Sequence, residues 1–349
     1  MTDAIKSTDG RHGPEAIDGD ASRRFGLPRF QLTQESIVFL LTTCMFIAFS
    51  VVLKDFLTSG NVITLLRNVS VLGMLGLGMS VAVIGRGIDL SMIATLVVGM
   101  GWALKMTQDG HAFGLSLVAG AGFVVVVGLV VGCIVAYAEI PAVFTTLAMG
   151  PVIFGFGNAF LFSQETFLAP GGIDWLRLLG YGSVFGVPIA IYVFIACALI
   201  VYSILRLTRF GRTIYAIGDN PAAARLTGFP VRFIIVGKYV FTSLMSFLIG
   251  LVIVASNSGI NTRLFYTTFV YDVVLVVVLG GIGLSGGRGG VRNVVVGTLF
   301  VGTLLTGMTI MDLSYTVQNL VKSLVMLAAL IVETFANPRD EQTSQQGDI

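Results

Sequence analysis

The sequence predicts an all-α integral membrane protein of about ten transmembrane segments, some of them discontinuous, with an inverted internal repeat. Three observations carry this. Hydrophobic residues make up 55% of the chain and charged residues 11%, against roughly 25% charged in an ordinary soluble domain. Mean hydropathy is +0.91. The charges fall in short stretches between apolar runs long enough to cross a hydrocarbon core, which takes about 20 residues as a helix.

From the amino terminus, residues 1–34 are polar and rich in Gly, Asp and Arg. They lack the apolar h-region and cleavage site of a signal peptide, so a disordered cytoplasmic tail is expected there. Arg23, Arg24 and Arg29 precede the first span, which by the positive-inside rule places that tail in the cytoplasm. A transmembrane domain over 35–336 follows. Uncharged runs at 36–53, 112–138, 140–164, 178–205, 239–262 and 293–311 read as six spans. Four less regular segments complete the set. Those at 68–85 and 91–104 are separated only by residues 86–90, 273–287 is short and ends in glycine, and 313–333 carries Lys322.

Ten spans return the tail at 337–349 to the cytoplasm. They also put the polar loop 207–232 inside, in accord with Arg206, Arg209, Arg212, Arg225 and Arg232, and with Arg288 and Arg292 on the same side. The loops 163–182 and 257–270, sparse in basic residues, are then outside. The repeat is expected from an echo: Gly87-Ile88-Asp89-Leu90-Ser91 is matched by Gly281-Ile282-Gly283-Leu284-Ser285, each interrupting an apolar segment. Paired glycine-broken segments of this kind mark discontinuous helices around a transport pathway.

Several functions are disfavoured by composition. A net charge of +2 with no basic block gives no footprint for nucleic acid. Cys44, Cys133 and Cys197 sit inside apolar runs and read as small buried hydrophobes. No metal is expected. No Ser/His/Asp set and no H-E-x-x-H occurs, and His12 and His111 lie outside the apolar runs. No G-x-x-x-x-G-K-[ST] phosphate loop occurs, since the Gly237-Lys238 pair is followed by Tyr239 at a span entrance. Catalysis and cofactor binding are therefore not expected of this chain.

The loop 207–232 is the most informative stretch, a polar, arginine-bearing segment between two runs of hydrocarbon. Asp219 or Asn220 is placed to cap a helix, Pro221 sits at its first position, and Gly228 and Pro230 stop it. Two helical turns are too few to stand alone in water. The segment needs a partner surface, or else is a capped connection between spans.

This segment resembles the coupling loop of the membrane permease subunits of sugar-type ABC importers, the ribose/xylose/galactose class. The family pattern G-R-x-[IV]-Y-A-I-G-x-N-x-x-A-A-x-x-[ST]-G is met by Gly211, Arg212, Ile214, Tyr215, Gly218, Asn220, Ala223, Ala224, Thr227 and Gly228. Two further blocks resemble it in order and spacing, at 78–91 and 279–289, and the likeness covers roughly residues 37–335. The resemblance implies a permease that carries a monosaccharide or related polyol across the bacterial inner membrane as a homodimer or pseudo-dimer. It also implies a cytoplasmic ATP-binding subunit that holds ATP and Mg, and a periplasmic sugar-binding protein. Arg212, Tyr215, Gly218, Asp219, Asn220, Pro221, Ala223, Ala224, Arg225 and Gly228 would then couple to the ATPase. An ion-gradient-driven secondary transporter of a small polar solute is the alternative. Two departures stand near the pathway: Arg86 where the family has glycine, and Val270-Tyr271-Asp272 where it has an acid followed by Leu-Asp, so that Asp272 is kept and the preceding acid is not.

Candidate pathway residues are Asn68, Asp89, Ser91, Asn158, Asp272, Gly280 and Gly281. Each has a plainer reading. Asp89 is expected to cap the helix beginning at Leu90 with help from Ser91, and to pair with Arg86, rather than contact solute. Asp272 is expected to cap the short eighth segment, and Lys322 to snorkel or pair within the last span. Glu139 with Pro141 reads as a cytoplasmic turn. Phe154, Phe156 and Tyr271 are suited to stacking on a sugar, with packing the default. Gly73, Gly76, Gly78, Gly128 and Gly132 are expected to let helices approach closely.

Overall fold

The computed structural model describes residues 33–336. The tails expected at 1–34 and 337–349 lie essentially outside the described residues, as do Arg23, Arg24 and Arg29. Among the described residues, eight helices are long and apolar enough to cross a membrane. They are α1 (Gln34–Val52), α2 (Ser59–Ile84), α4 (Phe113–Tyr137), α5 (Ala142–Phe156, continued by a π turn Gly157–Leu161), α7 (Ile189–Leu207), α10 (Val231–Asn257), α12 (Val291–Ile310) and α13 (Tyr315–Ala336). The short apolar helix α11 (Phe269–Leu279) and the buried helix α3 (Met92–Gln108) lie among them.

The short helices are the interrupted ones, and they lie deepest. Every residue of α11 from Asp272 to Leu279 is buried, and α3 is buried along all but its last turn. At about 16 Å, eleven residues of helix cannot span a core of about 30 Å. Helix α11 survives at that length because protein surrounds it. The long helices sort the same way. Burial covers 61–67% of the apolar windows of α2, α10 and α12 but 11% of those of α1 and α13. The former three make the centre, and the latter two present apolar faces suited to lipid.

Small residues set the closest packing. At Gly128 and Gly132 of α4, a Cβ would lie 2.7 Å from the Cα atoms of Val240 and Val236 in α10. One helical turn apart, the two glycines let these backbones touch, which is how helices associate where hydrophobicity gives no drive.

Both loops expected on the outer side meet at one end of the bundle. Strand β1 (Thr166–Leu168) pairs antiparallel with β4 (Gly259–Asn261), with Phe167 opposite Ile260, and Arg263 binds Glu165 at 2.8 Å. At the opposite end the turn at Glu139, where φ is +55°, meets the 207–232 segment. Its carboxylate accepts from Arg232 at 3.2 Å and lies 3.6 Å from Arg225.

Three expectations need correction. Residues 178–188 are not the start of a span. They form the end of α6 (Asp174–Tyr181) and a small hairpin of β2 (Ser183–Val184) and β3 (Val187–Pro188), because Gly182, Gly186 and Pro188 punctuate the run, and α7 starts at Ile189. The helix expected from Tyr239 begins eight residues earlier, at Val231, so Lys238 lies inside it rather than at its entrance. The 207–232 segment holds two helices, not one.

Candidate functional site: two helix breaks, a docked helix pair and an outer cavity

The chain between the central spans is broken twice, at 85–91 between α2 and α3 and at 280–290 between α11 and α12. The breaks touch. Gly287 N donates to Ile84 O at 2.8 Å, and Arg86 Nε donates to Ser285 O at 2.9 Å. Arg86 therefore does not pair with Asp89. Its backbone turns at φ +56° and carries its side chain to the other break.

Non-helical backbone at membrane depth must have its polar groups met by protein, and three neighbours do this for the first break. Lys238 Nζ donates to Gly85 O at 2.5 Å. Thr146 Oγ1, on α5, donates to Ile88 O at 3.0 Å. Asp89 accepts from Ser91 N at 3.1 Å, Ser91 Oγ at 2.6 Å and, across to α10, Thr242 Oγ1 at 2.7 Å. The expected local cap by Asp89 is thus present as a turn onto Ser91, although α3 starts at Met92 rather than Leu90. The cation across the break from it is Lys238. Both are almost fully buried. Sequence reasoning passed over Lys238, and the signal for it was a lysine eight residues into a helix whose one other charge, Arg232, lies at its mouth.

On these breaks sits a helix pair, α8 (Arg209–Asp219) and α9 (Pro221–Leu226). Thr208 caps α8 by accepting from Gly211 N at 3.1 Å. Asn220, rather than Asp219, caps α9, accepting from Ala223 N at 3.0 Å with Pro221 at the first position. Gly228 ends it at φ +79°. Helix α8 was missed because its apolar residues are few, yet they share one face, and Ile214, Ile217 and Gly218 are buried there. A Cβ at Gly218 would collide with Ile84 O and the backbone of Gly287, so this glycine lets α8 touch both breaks at once. Tyr215 adds a tie, donating its hydroxyl to Gly289 O at 2.7 Å. Burial pushes its phenol above the ordinary value against the pull of Arg206, which keeps it a neutral donor. Ala224 is buried, while Arg212, Asp219, Asn220, Ala223 and Arg225 stay exposed beside Leu226, Phe229 and Phe233.

At the other end of the bundle lies a cavity of about 660 Å³. Among its lining residues are Asn68 and Arg67 of α2, Ser256 and Asn257 of α10, Asn261 of β4 and Asp272 of α11. Asp272 does not cap α11, which starts after Thr268. Its carboxylate instead binds Lys322 of α13 at 2.7 Å. The pathway candidates accordingly divide. Asn68 and Asp272 reach the outer cavity, and Asp89 and Ser91 lie in the first break. Gly280 and Gly281 lie in the second, where Asn293 Nδ2 donates to Gly280 O at 2.8 Å. Asn158 is exposed on the π turn, apart from all of these. Phe154 is packed flat on Phe265, centroids 4.5 Å apart, while Phe156 and Tyr271 are largely exposed.

Broken helices held in the bundle interior, a helix pair seated on both breaks and a largely apolar cavity with a few polar groups at the far end define a polytopic transport protein. The chain belongs to the branched-chain amino acid transport system / permease component family, whose model matches residues 61–331. Among characterised proteins it is similar to the ribose import permease protein RbsC of Escherichia coli K12, with 28% identity over 90% of this chain and 97% of that one. It is also similar to the RbsC of Haemophilus influenzae, 28% over 89% and 96%. The L-arabinose transport system permease protein AraH of Escherichia coli K12 is 32% identical over 83% and 88%. No solved structure matches the chain.

Proposed function

We propose that this protein is the membrane-spanning subunit of an ATP-driven importer for a monosaccharide or related polyol, placed in the bacterial inner membrane with both termini cytoplasmic. The α8–α9 pair is its coupling element. The observation that carries the reading is the seat of α8, in which Gly218 lies against the backbone of both helix breaks. A push on the pair is thereby delivered to the two places where the central helices can change direction.

The exposed face of the pair supports a partner there. Leu226 is 90% exposed and Phe233 73%, on a segment carrying Arg212, Arg225 and Arg232. An apolar centre rimmed by cations suits a groove on a cytoplasmic ATP-binding subunit, which would hold ATP and Mg. The chain itself has no phosphate loop, and hydrolysis falls to that partner. The relatives named for ribose import and arabinose transport support a sugar as cargo, with a periplasmic binding protein to deliver it. A homodimer supplies a second copy of each element.

The deciding experiment is uptake of labelled pentoses into proteoliposomes holding this chain, with and without the ATPase and binding protein from its native membrane. Uptake that needs the ATPase and ATP is expected. Uptake by this chain alone, driven by a proton or sodium gradient, would sink the proposal and favour a secondary transporter.

A further inference from the structure

The start of α7 carries an apolar hairpin whose tip is ill suited to water. Strands β2 and β3 pair Val184 with Val187, and the two residues between them, Phe185 and Gly186, take φ of +51° and +79°. A two-residue turn with positive φ at both positions favours Asn-Gly or Asp-Gly, and a bulky residue in the left-handed region is strained. Phe185 is also 98% exposed. Water and backbone geometry both select against Phe at this position, and a strained residue that the fold does not need points to a role outside it. Beside the hairpin, α6 leaves Trp175, Leu178 and Tyr181 exposed, while Leu176 and Gly180 are buried against the bundle.

We infer that α6 and the β2–β3 hairpin form an interfacial anchor, with Phe185 set among the acyl chains of the leaflet at that end of the bundle and Trp175 at headgroup depth. The inference goes beyond the importer reading and does not depend on it. Depth, continuity and composition make lipid the occupant. Trp175 stacks on Phe113, the first residue of the span α4, with centroids 5.8 Å apart. Tyr192, in the first turn of the span α7, donates its hydroxyl to Val184 O at 3.1 Å. Both elements therefore lie level with the ends of two spans, where Trp and Tyr gather. Tyr192, Ile195, Leu199 and Tyr202 follow at helical spacing along α7 and all are exposed, so the hairpin hangs from the first member of a stripe that faces hydrocarbon. A protein arriving from water would meet the hairpin but not the stripe. The tip Val184-Phe185-Gly186-Val187 carries no charge, while Asp174 and Arg177, exposed on α6, suit the headgroup layer. The anchor also grips the cavity. A Cβ at Gly180 would collide with Ala255 O near the end of α10, and the Tyr181 hydroxyl shares a hydrogen bond with Ser258 at 2.9 Å. Ser256, Asn257 and Ser258 line the cavity, so lipid that holds α6 holds one of its walls.

The test uses the full chain in lipid nanodiscs with Phe185→Trp introduced and the two native tryptophans removed as Trp102→Phe and Trp175→Phe. Fluorescence of the introduced indole is quenched by phosphatidylcholine brominated along its acyl chains or by aqueous iodide. Bromolipid should quench it strongly, and iodide should quench it several-fold less than it quenches free N-acetyltryptophanamide. A second variant, Phe185→Asn with Trp102→Phe, keeps Trp175 as its reporter. Asn-Gly is a pair that this turn geometry favours, so the unfolding midpoint in detergent should hold or rise. Bromolipid quenching of Trp175 in nanodiscs should nevertheless fall several-fold, as the tip no longer holds α6 in the leaflet.

Iodide quenching of the introduced indole equal to that of the free amide would place the hairpin in water, open to a soluble partner, and overturn the inference. Quenching by neither agent would mean that protein covers the tip, as a second copy of this chain would, and would overturn it equally. Trp175 quenching unchanged by Phe185→Asn would remove Phe185 from any anchoring role, and a lowered midpoint in detergent would assign it to the fold. Either result also counts against the anchor.

Discussion

Lys322 of α13 reaches Asp272 of α11 at 2.7 Å, across fifty residues of sequence, with both side chains nearly out of solvent. Thr268, the residue that opens α11, joins the pair by accepting from Lys322 at 3.2 Å and donating to Asn319 at 2.9 Å. A helix too short to span is thereby anchored to a rim helix by its one charged residue.

Removing one member of a buried pair leaves an uncompensated charge and costs roughly 3–5 kcal/mol. Asp272→Asn and Lys322→Met should each lower the unfolding midpoint in nanodiscs by that order, while the double replacement recovers most of the loss. A double variant as unstable as the sum of the singles would show that the two residues act independently.

Gly218→Leu tests the seat of α8. Overpacking typically costs about 1–3 kcal/mol, and here it falls on the contact between the helix pair and the two breaks. ATP-driven uptake should be lost and the ATPase freed from control, with membrane insertion unchanged. Ala224→Leu, on the buried side of α9, should do the same to a lesser degree. Coupled uptake in both variants would refute the role of the pair.

Much of this was legible in the sequence because lipid imposes a simple rule. Runs of about 20 apolar residues announced the spans, and Asn220, Pro221 and Gly228 announced α9 by local capping chemistry that needs no tertiary context. What stayed hidden depends on distant partners. Helix α8 was hidden because its stability comes from a narrow buried face against Ile84 and Gly287. The pairing of Asp272 with Lys322, and the use of Arg86 on Ser285 rather than Asp89, are choices among several charges that only the packing makes.

Glu139 sits in a left-handed turn and faces both Arg232 and Arg225. The pairs are about half exposed, so each contributes at most about 1 kcal/mol to stability. Glu139→Gln should hardly move the unfolding midpoint, yet it frees the end of α9 and should slow ATP-driven uptake several-fold. A large fall in stability with unchanged uptake would assign Glu139 to the fold alone.

The first break depends on charges that do not touch. Asp89 is held by Ser91 and Thr242, and Lys238 is held by Gly85 O, so the two groups fix opposite ends of the break without touching. Asp89→Asn should leave Lys238 uncompensated and cost about 3–5 kcal/mol. Lys238→Met should cost a similar amount, since it also strips Gly85 O of its donor. In the double variant the charge penalty vanishes and only the lost hydrogen bonds remain, each about 1 kcal/mol. Unfolding midpoints of the three variants and the parent close a thermodynamic cycle. A coupling energy near zero would mean that the two charges are compensated separately, and the break would then be held by hydroxyl and backbone hydrogen bonds alone.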